Sequence, residues 1–146
     1  MSDSYMAIVN LYSRYAQLID AGDMQGLGKI FTNADFSSAS LDVHHRGAEA
    51  VAEHFSNRVK LYADGTPRTK HVTTNHLIEI DEGSDHATGA AYFTVLQELP
   101  GTKHVSIICA GRYEDEFARL DGRWHFVKRH IIRDLDGDLS EHLTRF

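Results

Sequence analysis

Cysteine is almost absent from this chain of 146 residues, and Cys109 is the only one. No internal disulfide can form, and neither a disulfide-stapled secreted scaffold nor a Cys-rich zinc site can be built. Long hydrophobic runs are missing too, and no segment approaches the length that spans a bilayer. The first residues, Met-Ser-Asp-Ser-Tyr, lack a basic region followed by an apolar run. A cytoplasmic protein with no membrane partner is therefore expected. Positive charge is in deficit, with 15 Lys and Arg against 21 Asp and Glu and a net charge of −6. The basic residues are dispersed, so no nucleic-acid partner is expected. Proline numbers only 2, and no repeat, low-complexity stretch or linker interrupts the chain. One domain over residues 1–146 is expected, long enough to bury a real core.

The most regular stretch is the first helix. Ile8, Leu11, Tyr12, Tyr15, Ala16 and Ile19 recur at helical spacing, with Asn10, Ser13, Arg14 and Gln17 opposite. Asp20 falls at the flank of that apolar stripe, where an acid needs a partner. Gly22 can end the helix in the left-handed conformation, and Asp23 can cap a short second one carrying Met24, Leu27, Ile30 and Phe31. Residues 36–43 read as a short strand or two. From Ala48 a third helix places Val51, Phe55, Val59 and Tyr62 on one face and is expected to run to Asp64-Gly65. Beyond Pro67 the pattern turns to strands over residues 72–80, 86–97, 103–117 and 124–133, separated by short turns that suit antiparallel neighbours. Helices first and strands after read as α+β, with a curved antiparallel sheet covered by the helices. The tail, residues 137–146, is charged and aperiodic, and is expected to be mobile or to pack on a neighbouring subunit.

The strand-like run Lys70-His71-Val72-Thr73-Thr74-Asn75 offers Asp20 its partner. Imidazole titrates near neutrality, so a pocket-facing His71 can take and return a proton. Asp20 would fix its tautomer and stabilise the imidazolium. Charge developing on a carbonyl oxygen then needs a donor, for which Tyr15, Tyr92 and Arg129 are candidates. Asn75 is a further candidate for the pocket wall. The alternative is a buried Asp–His pair that only ties helix to sheet. Ten histidines invite a metal, but His44-His45 is the one tight pair and no His-x-His or Glu-x-x-His spacing supports it, so no metal is expected. Cys109 lies in an apolar run and reads as a small buried hydrophobe. No Gly-rich phosphate loop or dinucleotide fingerprint is present, and no cofactor is expected.

The order of these motifs resembles the SnoaL-like branch of the nuclear transport factor 2-like superfamily. It is carried by Arg14-Tyr15-Ala16, Ile19-Asp20-Ala21-Gly22-Asp23, residues 27–31, 47–55 and 71–75, and Asp121-Gly122-Arg123-Trp124. The resemblance implies a cone-shaped α+β barrel enclosing a pocket. Within that superfamily, scytalone dehydratase, bile-acid dehydratase and hexachlorocyclohexane dehydrochlorinase share an Asp late in the first helix and a His on the first long strand. Asp20 and His71 match those positions. Tyr15 is similar to the helix tyrosine of ketosteroid isomerase, but residues 36–41 hold no acid to match that family's general base. Ile19 stands where scytalone dehydratase has a tyrosine, so a tyrosine-held water is not implied. The expectation is a cofactor-independent, dehydratase-type lyase acting on a small hydrophobic, cyclic or polyketide-like ligand, in a homo-oligomeric dimer or trimer. A non-catalytic binding or accessory subunit, and an isomerase or cyclase using the same pocket, remain alternatives.

Overall fold

The computed structural model describes residues 3–145. Helix α1 (Asp3–Asp20) buries Ile8, Leu11, Tyr12, Tyr15, Ala16 and Ile19, the stripe that its spacing predicts. It ends where Gly22 takes φ +76°, a conformation that costs a residue without Cβ little. Asp23 then caps α2 (Met24–Lys29), its carboxylate accepting from the Gly26 amide at 2.8 Å. Strand β1 (Asp35–Ser38) and strand β2 (Val43–Arg46) form a hairpin across a 3-10 turn. Helix α3 (Ala48–Arg58) follows and packs closely on α2. A Cβ on Gly28 would come within 2.3 Å of the Ala48 carbonyl oxygen.

Four long strands complete the chain: β3 (Thr69–Asp81), β4 (His86–Glu98), β5 (Val105–Leu120) and β6 (Arg123–Asp136). The six-stranded sheet has the order β2-β1-β6-β5-β4-β3, antiparallel throughout except for the parallel pair β1 and β6. Register shifts that add residues in β3, β5 and β6 bend it around the helices. In β3 the shift falls between Thr74 and Leu77, with Asn75 at φ +56°. Asn tolerates that conformation better than most residues. Asn75 is exposed there and does not line a pocket wall. The concave face carries Ala87, Ala91, Phe93 and Val95 from β4, and Tyr113 and Phe117 from β5, which join the α1 stripe in one core. Among the described residues no helix is long and apolar enough to cross a membrane.

Two stretches depart from the sequence expectation, for one reason. Helix α3 stops at Arg58 instead of continuing to Gly65, and the tail folds back on its own chain. Val59 is extended and bridges Leu143, the Lys60 amide donates to the His142 carbonyl at 2.8 Å, and the Thr144 amide donates to the Arg58 carbonyl at 2.8 Å. Those long-range bonds satisfy backbone groups that a further helical turn would have used. Leu139 and His142 are buried as a result, 3% and 5% exposed. Phe146 lies outside the described residues.

Candidate active site

The cavity between the helices and the concave face of the sheet measures about 90 Å³. Its walls come from α1 (Tyr15, Ile19), α3 (Phe55, Arg58), the strands (His71, Tyr113) and the tail (Leu139, His142). Asp20, the last residue of α1, meets the first residues of β3 at its edge. Its Oδ1 accepts from the Thr69 hydroxyl at 2.9 Å and from His71 Nδ1 at 2.6 Å, and its Oδ2 accepts from the His71 backbone N–H at 2.8 Å. Both side chains are nearly buried, 9% exposed for Asp20 and 7% for His71. Burial pushes the Asp20 carboxyl up. The hydrogen bond and charge of the imidazole, with the His71 amide and the Thr69 hydroxyl, outweigh it and hold the carboxyl below its ordinary value. An ionised Asp20 leaves Nδ1 as the bonded N–H, so the lone pair sits on Nε2, for which the described residues provide no hydrogen-bond partner.

The other predicted residues divide. Tyr15 lines the cavity beside His71, and burial pushes its hydroxyl up to about 12, which keeps it a donor at neutral pH. Arg129 does not reach the cavity. Its guanidinium donates from Nε and Nη2 to the two oxygens of Asp115 at 2.8 and 2.9 Å, both side chains fully buried. The rings of Tyr113, Tyr15, Phe126 and Tyr12 surround it, at 3.6 to 5.1 Å from the guanidinium carbon. Its remaining nitrogen, Nη1, has no hydrogen-bond partner but is buried away from the cavity lining, so it is not free for a substrate there. Tyr92 stands on the convex face, 55% exposed, because Ala87, Ala91, Phe93 and Val95 take the inward positions of β4 and leave the even-numbered ones outside. Phe55 also lines the cavity, while Tyr12 and Phe31 belong to the core behind it.

The structure adds polar residues that the sequence reading passes over. His54, Arg58, Arg133 and His142 all line the cavity. His54 and Arg58 stand four residues apart beside the Val51 and Phe55 stripe of α3, the spacing that places two side chains on one helix face. Burial, followed by neighbouring positive charge, pushes both His54 and His142 down to about 4, so each is neutral at pH 7. Cys109 is buried in the wall, and its thiol is pushed up to about 11 by burial, which leaves it unreactive. His44 lies 3.6 Å from Asp35, and His45 hydrogen-bonds His54 at 3.1 Å. Among the described residues no group of three or more His, Cys, Asp or Glu gathers into a metal-binding cluster.

This architecture has relatives. A 26% identical neighbour is an Asp-to-Asn variant of Rv3472, a protein of unknown function from Mycobacterium tuberculosis. It aligns over 90% of this chain and 72% of its own, with a TM-score of 0.72. LinA is 22% identical, over 94% of this chain and 90% of its own, with a TM-score of 0.72. A candidate scytalone dehydratase from Novosphingobium aromaticivorans is 18% identical, over 92% and 87%, with a TM-score of 0.72. The latter two likenesses are of fold. No curated protein matches the sequence. The model of the SnoaL-like domain matches residues 1–130, and the chain belongs to that family.

Proposed function

We propose that the protein is a cofactor-independent lyase that eliminates water or a similar leaving group from a small hydrophobic, cyclic or polyketide-like substrate. The observation that carries this reading is the 2.6 Å bond from His71 Nδ1 to Asp20, in a side chain that lines the cavity and keeps Nε2 without a protein partner. Nε2 takes the proton from the carbon next to the substrate carbonyl. The electron pair of that C–H bond becomes the new carbon–carbon double bond as the β-substituent departs with its own pair. When the leaving group is hydroxide, the imidazolium returns the proton to it as water. Asp20 holds the tautomer and stabilises the imidazolium, and Tyr15, whose side chain lines the cavity, is the donor assigned to the developing negative charge on the carbonyl oxygen.

Proton abstraction is tested apart from elimination by incubating cyclic β-hydroxy ketones with the protein in D2O. Deuterium at the α-carbon together with loss of water is expected in wild type, and neither in His71→Ala. Equal deuterium uptake in both proteins would sink the reading, and a rearranged product without loss of water would point to an isomerase or cyclase.

A second reading, as an accessory or binding subunit, draws on the convex face of the sheet. Val72, Thr94, Ala110 and Leu135 are aligned across four strands, and Val72, Leu77, Tyr92 and Leu135 are 41%, 75%, 55% and 68% exposed. An apolar row of this kind suits assembly into a homo-oligomer or with a larger subunit.

A further inference from the structure

Arg58 brings into the cavity wall a positive charge for which the described residues provide no carboxylate partner. Arg58, the last residue of α3, is 7% exposed. Its Nη2 donates to the Arg145 carbonyl at 2.9 Å and its Nη1 to His54 Nε2 at 3.4 Å, while Nε has no partner. Accepting at Nε2 leaves His54 with its proton on Nδ1, which it donates to His45 Nε2 at 3.1 Å. A second residue of the cavity wall repeats the pattern. His142 is 5% exposed, its Nδ1 also lacks a partner, and its ring lies 6.3 Å from that of His71.

Among the described residues no Asp or Glu lines the cavity. Burial, then the charges of Arg133 and Arg145, pull the Arg58 guanidinium below its ordinary value, and no negative group among the described residues opposes them. The contrast with Arg129 is direct, since that buried arginine is met by both oxygens of Asp115. A buried cation with an empty N–H is costly unless something completes it.

We infer that Arg58 and His142 form an anion subsite for the substrate, so that the molecule taken into the cavity carries a carboxylate or an acidic enol or phenol oxygen. The inference rests on reading the cavity as a substrate site and names the class of molecule that fits it. An N–H donated to an anion is among the stronger hydrogen bonds a protein makes, and a desolvated guanidinium strengthens it further.

Benzoate, 4-nitrophenolate above its pKa, and neutral benzamide are the probes, titrated into wild type, Arg58→Gln, Arg58→Lys and His71→Ala and followed by NMR. In wild type at least one anion binds on the order of ten-fold tighter than benzamide and shifts the Arg58 Nε–H resonance. The tighter of the two anions identifies the oxygen type. Arg58→Gln loses that preference, Arg58→Lys keeps part of it, and His71→Ala keeps it in full. Benzamide binding as tightly as both anions in wild type, or a preference that survives in folded Arg58→Gln, overturns the subsite. If Arg58→Gln does not fold, the wild-type resonance and Arg58→Lys decide, and an unshifted resonance overturns it. Failure of the lyase reading appears separately, as absent deuterium uptake, and leaves anion binding by His71→Ala intact.

Discussion

Two buried acid–base pairs stand a few side chains apart in this molecule, and they are satisfied to different degrees. Arg129 and Asp115 are fully buried, joined by two parallel hydrogen bonds and roofed by aromatic rings. Asp20 and His71 are buried almost as deeply, but their network accounts for only one of the two ring nitrogens, and the ring forms part of a cavity wall. Depth of burial and strength of pairing are nearly the same in the two places. What differs is the kind of atom left over, a buried N–H at Arg129 Nη1 and an imidazole nitrogen in the cavity wall at His71 Nε2. An enclosed N–H can only hold structure together, whereas an imidazole nitrogen in a cavity wall has a lone pair to offer, and proton abstraction requires that.

Exchanging the consequences of mutation would break this comparison, and the largest effect expected is on catalysis. With a competent substrate, His71→Ala should lower turnover by about 10²- to 10⁴-fold, the usual worth of a general base. Its melting temperature should fall by less than that of the variant at the other pair, because Asp20 keeps the Thr69 hydroxyl and the backbone N–H of residue 71 as partners. The reverse is expected at the other pair. Arg129→Met strands Asp115 without a partner, which typically costs about 3–5 kcal/mol. Urea unfolding should register the loss as a shifted midpoint, and a midpoint shift larger in His71→Ala than in Arg129→Met would invert the assignment.

Acid should separate the groups further. His54 and His142 are held near 4, against an ordinary 6.5, so the unfolded chain takes up protons that the folded one refuses. Their contribution to stability is complete above 6.5 and is lost as the pH falls towards 4. Asp20 is held below its ordinary 3.8, so its contribution is complete above that value and fades only as the pH falls through the lower folded one. Denaturation midpoints measured across this range should therefore decline in two stages. His142→Gln should flatten the first stage and Asp20→Asn the second, and a curve unchanged in both variants would contradict the linkage.

A sharper local probe is the ring of His71. Nitrogen-15 spectra should show Nδ1 protonated in the neutral ring of wild type and a mixture of tautomers in Asp20→Asn. The smallest effect belongs to Tyr92. Tyr92→Ser should move stability by no more than about 0.5 kcal/mol and leave turnover alone, as expected of an exposed convex-face residue. A large loss of turnover there would place a functional surface outside the cavity.

Much of the architecture is legible in local patterns. The α1 stripe, the Gly22 stop and the Asp23 cap act over a few residues, and each appears where its spacing places it. Asp20 could be singled out because an acid at the edge of an apolar stripe has to find a partner, and His71 because β3 supplies a histidine in an extended run. Tyr92 and Arg129 resisted the same treatment. The facing of Tyr92 depends on strand register, where a shift of one residue exchanges the two faces of the sheet. The use of Arg129 depends on Asp115, which lies opposite it only once β5 and β6 pair in that register.

The end of α3 and the tail show the same limit from the other side. Nothing near Arg58 in the chain stops the helix; the backbone of residues 142–144, more than 80 positions away, does. The sequence by itself determined the element types and the class of fold, because propensity, capping and periodicity are short-range properties. Only the tertiary structure decided which side chains share the cavity, which arginine is neutralised and which is left waiting, and how the tail closes the wall, because these follow from contacts that no local pattern records.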